Sequence, residues 1–253
     1  MTGATSGIGE AFARWYADSA SELVLVGRNK SELDRVANAV RSRGVHAEVI
    51  VADLSHKDGV ESVGAQCGAV DVLVMNAGVT HAAKIGTSDR DQLDELAYLM
   101  SAGIVRLSEI VVPRMVECGS GDVVIVSSIA TFTPMRKAGP YAAAKTYATS
   151  YARSLALEVN SRGVRVVAVC PGYVRTDLHR RAGLDHLSQS VPGWMWLTPD
   201  DVVRATTRAL ERGKTVVVPG LVYRIALPFL ASSTAQRLWR RMTRRSSSRS
   251  SQS

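Results

Sequence analysis

Six short runs of branched apolar residues, each followed by a stretch of helical spacing, restrict what this 253-residue chain can fold into. The runs are Leu23-Val-Leu-Val26, residues 45–52, Asp71-Val-Leu-Val-Met75, Asp122-Val-Val-Ile-Val126, Val164-Arg-Val-Val-Ala-Val169 and Thr215-Val-Val-Val218. Runs with little polar alternation suit strands covered on both faces. Their alternation with helices predicts an α/β fold, a doubly wound parallel sheet with helices on both sides. Sheets of that kind bind ligands at the carboxyl ends of their strands, so the residues just past each run are the ones to read for chemistry.

Residues 2–9, Thr-Gly-Ala-Thr-Ser-Gly-Ile-Gly, form a glycine-rich turn ahead of a stretch, 10–20, that places Phe12, Trp15 and Tyr16 at helical spacing. Gly3, Gly7 and Gly9, with Ser6 and Ile8 among them, would let backbone N–H groups approach a pyrophosphate at a helix N-terminus. Such a turn follows a strand in dinucleotide-binding folds, and here Met1 alone precedes it. The expectation is that the first, central strand is missing from this sequence. Met1 is then read as a misassigned internal start, for instance a valine GTG codon, with an apolar strand upstream.

Arg28 follows the run at 23–26 and Gly27. In dinucleotide folds this position meets the adenosine ribose, where an acid suits a free 2′-hydroxyl and an arginine a 2′-phosphate. NADP (as NADPH) is therefore expected in preference to NAD. Asp53, with Leu54, ends the next run, where its carboxylate either reaches an adenine edge or caps the following helix. Asn76, Ala77 and Gly78 make a turn of small residues, suited to a backbone packed against a cofactor and equally to a plain turn. Pro171 and Gly172 break the chain after 164–169 so that it can turn across a ligand, and Thr176 offers a hydroxyl as an N-cap or a cofactor contact.

The run 122–126 ends in Ser127 and Ser128, and Tyr141-Ala-Ala-Ala-Lys145 follows in a helix-favouring context. A four-residue step places Tyr141 and Lys145 on one helical face. An ammonium beside a phenol favours phenolate, which predicts a tyrosine pKa lowered toward the range of acid/base work. Alone, such a pair is more often part of an ordinary helix surface.

Together these residues resemble the short-chain dehydrogenase/reductase family over residues 2–219. The turn at 2–9 is similar to its TGxxxGIG loop, Asp53-Leu54 to its adenine contact and Asn76-Ala-Gly78 to its NAG motif. Ser128 with Tyr141 and Lys145 is similar to its Ser/YxxxK site, and Pro171-Gly-Tyr-Val174-Arg-Thr176 to its PGxVxT segment. Ser128 is chosen over Ser127 because the family's serine lies thirteen positions before its tyrosine. The resemblance implies a Rossmann-like fold and hydride transfer between a nicotinamide and a carbonyl or alcohol carbon. Tyr141 would give the proton, Ser128 would hold the oxygen, Lys145 would bind the nicotinamide ribose and Thr176 would contact the carboxamide. It also implies a homo-oligomer. The sequence departs from the pattern at Met100, which stands where the family's asparagine helps hold a water of the proton relay; a thioether is a poor acceptor and no donor.

The resemblance places a substrate loop over residues 176–198, which contain His179, Arg180, Arg181, Val191, Trp194, Met195, Trp196 and Leu197. Such apolar bulk suits a hydrophobic substrate such as a sterol, fatty-acyl or isoprenoid carbonyl compound, or else packing of a lid or a subunit contact. Thr198-Pro-Asp-Asp201 starts a helix, with threonine at the N-cap and proline in the first turn. A single long amphipathic helix is predicted over 91–118.

The formal charge is +8, and residues 213–253 carry eight Lys and Arg with no Asp or Glu, so residues 1–212 sum to zero. A neutral body excludes a nucleic-acid partner read from overall charge, and any charged partner should meet the tail. The organisation expected is a catalytic domain over 1–219, a basic amphipathic extension over 220–245 able to lie against an anionic membrane, and a disordered end over 246–253. No signal-peptide pattern is present, and Cys67, Cys118 and Cys170 lack metal-ligand spacing, so the reading is a cytoplasmic protein without a metal, peripheral to the membrane at most. A non-catalytic dinucleotide-binding sensor or scaffold is the alternative to an enzyme.

Overall fold

The computed structural model describes residues 1–80, 82–176 and 191–231. In chain order the elements are α1 (Gly7–Tyr16), β1 (Glu22–Gly27), α2 (Lys30–Arg41), β2 (His46–Val51), α3 (Lys57–Gln66), β3 (Val72–Met75), α4 (Arg90–Met100) and α5 (Ala102–Cys118). They are followed by β4 (Gly121–Val126), α6 (Gly139–Val159), β5 (Val164–Val169), α7 (Pro199–Glu211), β6 (Val216–Val217) and α8 (Leu221–Ala231). All strand pairs are parallel, in two sections ordered β1-β2 and β3-β4-β5-β6.

Successive residues of the central strands enter opposite layers, as the period of two requires. On one face Val123 and Ile125 of β4 and Val164, Val166 and Ala168 of β5 pack with Leu107 and Val111 of α5 and Ala148 and Ala152 of α6. On the other, Val124, Val126, Val167 and Val169 pack with Phe12 of α1 and Val202 and Val203 of α7. Each fully buried valine contributes about 1.5–3 kcal/mol relative to an exposed one. The uniformly apolar runs are thus the inner layer of a three-layer sandwich.

Residues 1–4 lie between the two sheet sections. Val26 N donates to the Met1 carbonyl (2.9 Å), Thr2 N donates to the Val74 carbonyl (2.8 Å), and Thr2 forms a parallel bridge with Val26. The place expected for a central strand is therefore taken, among the described residues, by this short bridge at the carboxyl end of the sheet. The Met1 ammonium donates to the Val24 carbonyl (2.6 Å), and burial pushes its pKa down to about 6.

The single helix expected over 91–118 is two. Ser101 leaves helical geometry (φ −134°, ψ −86°), ending α4 and starting α5. Apolar spacing continues across the break because both helices pack on the same body, so periodicity alone does not reveal it. Taken together, 90–118 is long and apolar enough to cross a membrane, with a mean hydropathy of 1.4 in its best window. The break at Ser101 and the burial of Leu107, Val111 and Met115 in the core make it a packing element of this fold. The helix start read at Thr198 is present as α7. The Thr198 hydroxyl accepts from Asp201 N (3.2 Å) and the Asp201 carboxylate accepts from Thr198 N (2.9 Å), a reciprocal cap.

Candidate active site

The site is assembled at the carboxyl end of the sheet, where β4 runs out into two serines with different surroundings. Ser127 N donates to the Val169 carbonyl (2.8 Å), prolonging the ladder with β5. The Ser127 hydroxyl turns toward α6, donating to the Lys145 carbonyl (2.9 Å) and sharing a hydrogen bond with Thr149 Oγ1 (2.7 Å). Ser128 is extended (φ −161°). Its hydroxyl accepts from Ala130 N (3.2 Å) at the start of a 3-10 turn, Ile129–Phe132, and lies within hydrogen-bonding reach of the Tyr141 phenol. Ser127 therefore stitches strand to helix, while Ser128 faces the tyrosine.

α6 carries Tyr141 and Lys145 one turn apart, with Pro140 in its first turn where a missing N–H costs nothing. Lys145 is 5% exposed, and its ammonium donates to the Val126 carbonyl (2.8 Å) and lies 5.9 Å from the centre of the Tyr141 ring. Burial lowers the Lys145 pKa to about 8. The Tyr141 pKa is raised, because burial of the phenol outweighs the hydrogen bond from Ser128. The lowered phenol pKa expected from the adjacent lysine is thus corrected. The ammonium lies over the ring while donating to a backbone carbonyl, and desolvation decides the sign. Met100 is fully buried in the same cluster as Tyr141 and Ala144. A β-carbon on Gly78 would meet Met100 Sδ and Lys145 Nζ, each at 3.4 Å, so thioether, ammonium and Gly78 share one small space. Met100 follows Leu96 by one turn on the buried face of α4.

The glycine turn is held by Asn76 and Ala77 and by Arg35, which sequence reading did not single out. The Thr2 hydroxyl accepts from Asn76 N and Ala77 N (both 3.0 Å), and Asn76 Nδ2 donates to the Gly3 carbonyl (2.9 Å). Arg35 on α2 donates to both carboxylate oxygens of Glu10 (3.0 Å each) and to the Thr5 carbonyl (3.1 Å). A local signal hints at Arg35 only through its i, i+3 pairing with Glu32; its tie across 25 positions is a tertiary fact.

Gly3 (φ 63°) and Gly7 (φ 57°) occupy left-handed geometry that side chains disfavour. Gly9 is needed for packing, since a β-carbon there would sit 2.1 Å from the Gly3 carbonyl oxygen. Ser6 is the N-cap of α1 and its side chain makes no capping bond. Ile8 packs with the Phe12 layer. Thr176 stands directly over Gly7, its methyl 2.7 Å from where a β-carbon would be. A first helical turn with backbone N–H groups at its mouth, bare glycines and a threonine facing them fits a pyrophosphate-bearing dinucleotide.

At the ends of β1 and β2, the Arg28 guanidinium lies 3.6 Å from the Asp53 carboxylate, both well exposed. Asp53 also accepts from Ser55 N (3.0 Å) and Ser55 Oγ (2.7 Å), and these bonds, with Arg28, hold its pKa below the usual range against an opposing burial effect. It forms a turn rather than the N-cap of α3, which is His56. Leu54 is buried in the core. Past β5, Ile129 N donates to the Pro171 carbonyl (2.9 Å), Gly172 packs flat against the Tyr223 ring, and Val174 bridges Leu197. Tyr173, Met195, Leu197, Ile129, Phe132 and Tyr223 gather in one apolar cluster beside the serine. His179, Arg180 and Arg181, residues 232–245 of the expected amphipathic extension, and the end at 246–253 lie outside the described residues.

Residues 1–186 match the family model for short chain dehydrogenases. A very-long-chain 3-oxoacyl-CoA reductase of Anas platyrhynchos is 30% identical over 213 residues, 81% of this chain and 66% of that protein, so the chain spans just under two thirds of that relative. A short-chain dehydrogenase from Sphingobium yanoikuyae, solved in complex with NADPH, is 31% identical with a TM-score of 0.81 over 87% of each chain. A family member from Burkholderia phymatum in complex with NAD shares the fold at 21% identity, TM-score 0.80, over 90% of each chain. The parallel sheet, the cradle at the head of α1 and these matches agree: the chain belongs to the short-chain dehydrogenase/reductase family of NAD(P)-dependent oxidoreductases.

Proposed function

We propose that the protein interconverts a carbonyl and an alcohol on a hydrophobic substrate, with NADP(H) as cofactor and Tyr141 as general acid and base. The observation that carries this reading is the placement of Ser128, Tyr141 and Lys145 together at the carboxyl end of β4, next to the glycine turn. Gly3, Ser6, Gly7, Ile8 and Gly9 would hold the pyrophosphate, Arg28 the 2′-phosphate, and Asp53 and Leu54 the adenine side. Asn76, Ala77, Gly78, Tyr141, Lys145, Pro171, Gly172, Val174 and Thr176 would line the nicotinamide half. When bound, the nicotinamide supplies or accepts the hydride.

Tyr141, its pKa raised by burial, keeps its proton through neutral pH and is in the state that donates to a carbonyl oxygen. Ser128 offers the second hydrogen bond to that oxygen and polarises it. Lys145, poised near 8, places positive charge beside the ring to stabilise the phenolate left after donation. The apolar cluster around Tyr173, Met195 and Leu197 supports a bulky, water-excluding substrate. Arg28 supports NADP(H), as does the 31% identical relative solved with NADPH.

The test is oxidation of NADPH and NADH with a homologous series of aldehydes and methyl ketones. The reading predicts kcat/KM rising with chain length and at least tenfold preference for NADPH. Absence of oxidation of either nucleotide across the series, with both still bound, would favour a second reading. Met100, buried with Tyr141 and Ala144 and lining the space at Gly78 that Lys145 also borders, supports that one, a dinucleotide-binding sensor of low turnover.

A further inference from the structure

α8 is apolar except for Arg224 and is docked by one side. Tyr223 is buried and Leu227 packs beside it. The Tyr223 hydroxyl donates to the Met195 carbonyl (2.6 Å) and accepts from Tyr173 N (3.0 Å). The opposite side presents Leu221, Ile225 and Phe229, successive members of an i, i+4 row, at 62, 62 and 67% exposure. Trp194, 67% exposed, stands on the adjoining 3-10 turn Gly193–Met195, whose last residue Tyr223 holds. Single exposed apolar residues need no explanation, but a helical row with an aromatic neighbour does.

Charge identifies the occupant. Exposed Arg224 borders the row, and from Gly213 to the end the sequence carries eight basic residues and no acid. We propose that the Leu221, Ile225 and Phe229 row, with Trp194, is a docking surface for an anionic lipid bilayer. The apolar side chains enter the boundary between headgroups and acyl chains while Arg224 stays at phosphate level, and the positive charge that the sequence carries from Gly213 onward draws the chain to an anionic surface. A twofold contact between copies of the chain would instead set Arg224 and like-charged segments against themselves. Because Tyr223 ties α8 to Tyr173 and Met195, docking brings the apolar cluster beside Ser128 to the membrane surface, where a hydrophobic carbonyl compound partitions. That last consequence rests on the proposed function; binding to lipid does not.

The experiment is co-sedimentation of the full chain with vesicles of pure phosphatidylcholine and of phosphatidylcholine containing 30% phosphatidylglycerol. Binding is expected to the anionic vesicles, to fall in high salt, and to weaken about tenfold or more in Phe229→Glu and in Ile225→Glu, each judged against its own thermal transition. A second readout needs no charge change: brominated lipid should quench the tryptophan emission of the wild type more than that of Trp194→Phe. Failure to bind anionic vesicles overturns the proposal. So does binding that both glutamate variants leave intact, or a dimer in sedimentation velocity that Phe229→Glu dissociates while vesicle binding is absent. Loss of carbonyl reduction by the wild type with vesicle binding retained would refute the proposed function and leave the docking surface standing.

Discussion

Replacing Lys145 by methionine should make the protein more stable and inactive at once. Lys145 is an ammonium at 5% exposure whose pKa falls from 10.5 to about 8, with burial as the chief cause. A shift of that size is about 3 kcal/mol of cost carried by the folded state while the lysine is charged in both states. Methionine keeps much of the length and volume of the side chain and removes the charge. The lost hydrogen bond to the Val126 carbonyl costs about 1 kcal/mol, leaving a net gain of about 2 kcal/mol at pH 7. For a chain of this size that raises Tm by roughly 4–8 °C.

The pH dependence is distinctive. Between pH 8 and 10.5 the unfolded wild type retains a proton that the folded protein has released, so wild-type stability rises with pH in that window. Urea unfolding of Lys145→Met and wild type at pH 7 and pH 10.5 should show the variant ahead at pH 7 and its lead gone at pH 10.5. A variant destabilised by the same amount at both values would refute the claim that a buried charge is tolerated here for function.

Arg28→Ala should weaken NADPH binding about 10- to 100-fold and leave NADH within threefold, read by titration of nicotinamide fluorescence; equal effects on both would remove Arg28 from the 2′-phosphate. Met100→Asn places a donor and acceptor beside Lys145 and should raise kcat several-fold while lowering stability by about 1–3 kcal/mol, since Met100 is fully buried. Unchanged kcat would show that proton supply does not limit turnover. Gly9→Ala puts a methyl 2.1 Å from the Gly3 carbonyl oxygen. The turn must move, and both dinucleotide affinity and Tm should fall, in contrast to Gly44→Ala, which meets no atom within 4 Å and tests backbone strain alone.

What the sequence discloses and what it hides follow from range. Strand positions, the N-cap at Thr198, and the shared face of Tyr141 and Lys145 are local properties of spacing and residue type, and they are present as read. The break at Ser101 is not visible in periodicity because the apolar stripe resumes at once on α5; close packing of Gly103 against the Tyr98 and Leu54 carbonyls accompanies it. The sign of the Tyr141 shift was misread because sequence shows a lysine four residues away and not the depth of the phenol. The division of labour between Ser127 and Ser128 depends on the Lys145 carbonyl and Thr149, contacts across 18 and 22 positions. Arg35 and Thr2 escaped notice for the same reason: each acts on the glycine turn through a partner distant in the chain.

The proposed proton donor is Tyr141, and the most direct measurement of that role is NADPH-dependent reduction of an activated aryl aldehyde, 4-nitrobenzaldehyde, by wild type and Tyr141→Phe at pH 7. Loss of the hydroxyl should lower kcat/KM by about 10²- to 10⁴-fold with the NADPH Kd unchanged within threefold. Wild-type turnover in Tyr141→Phe would contradict it.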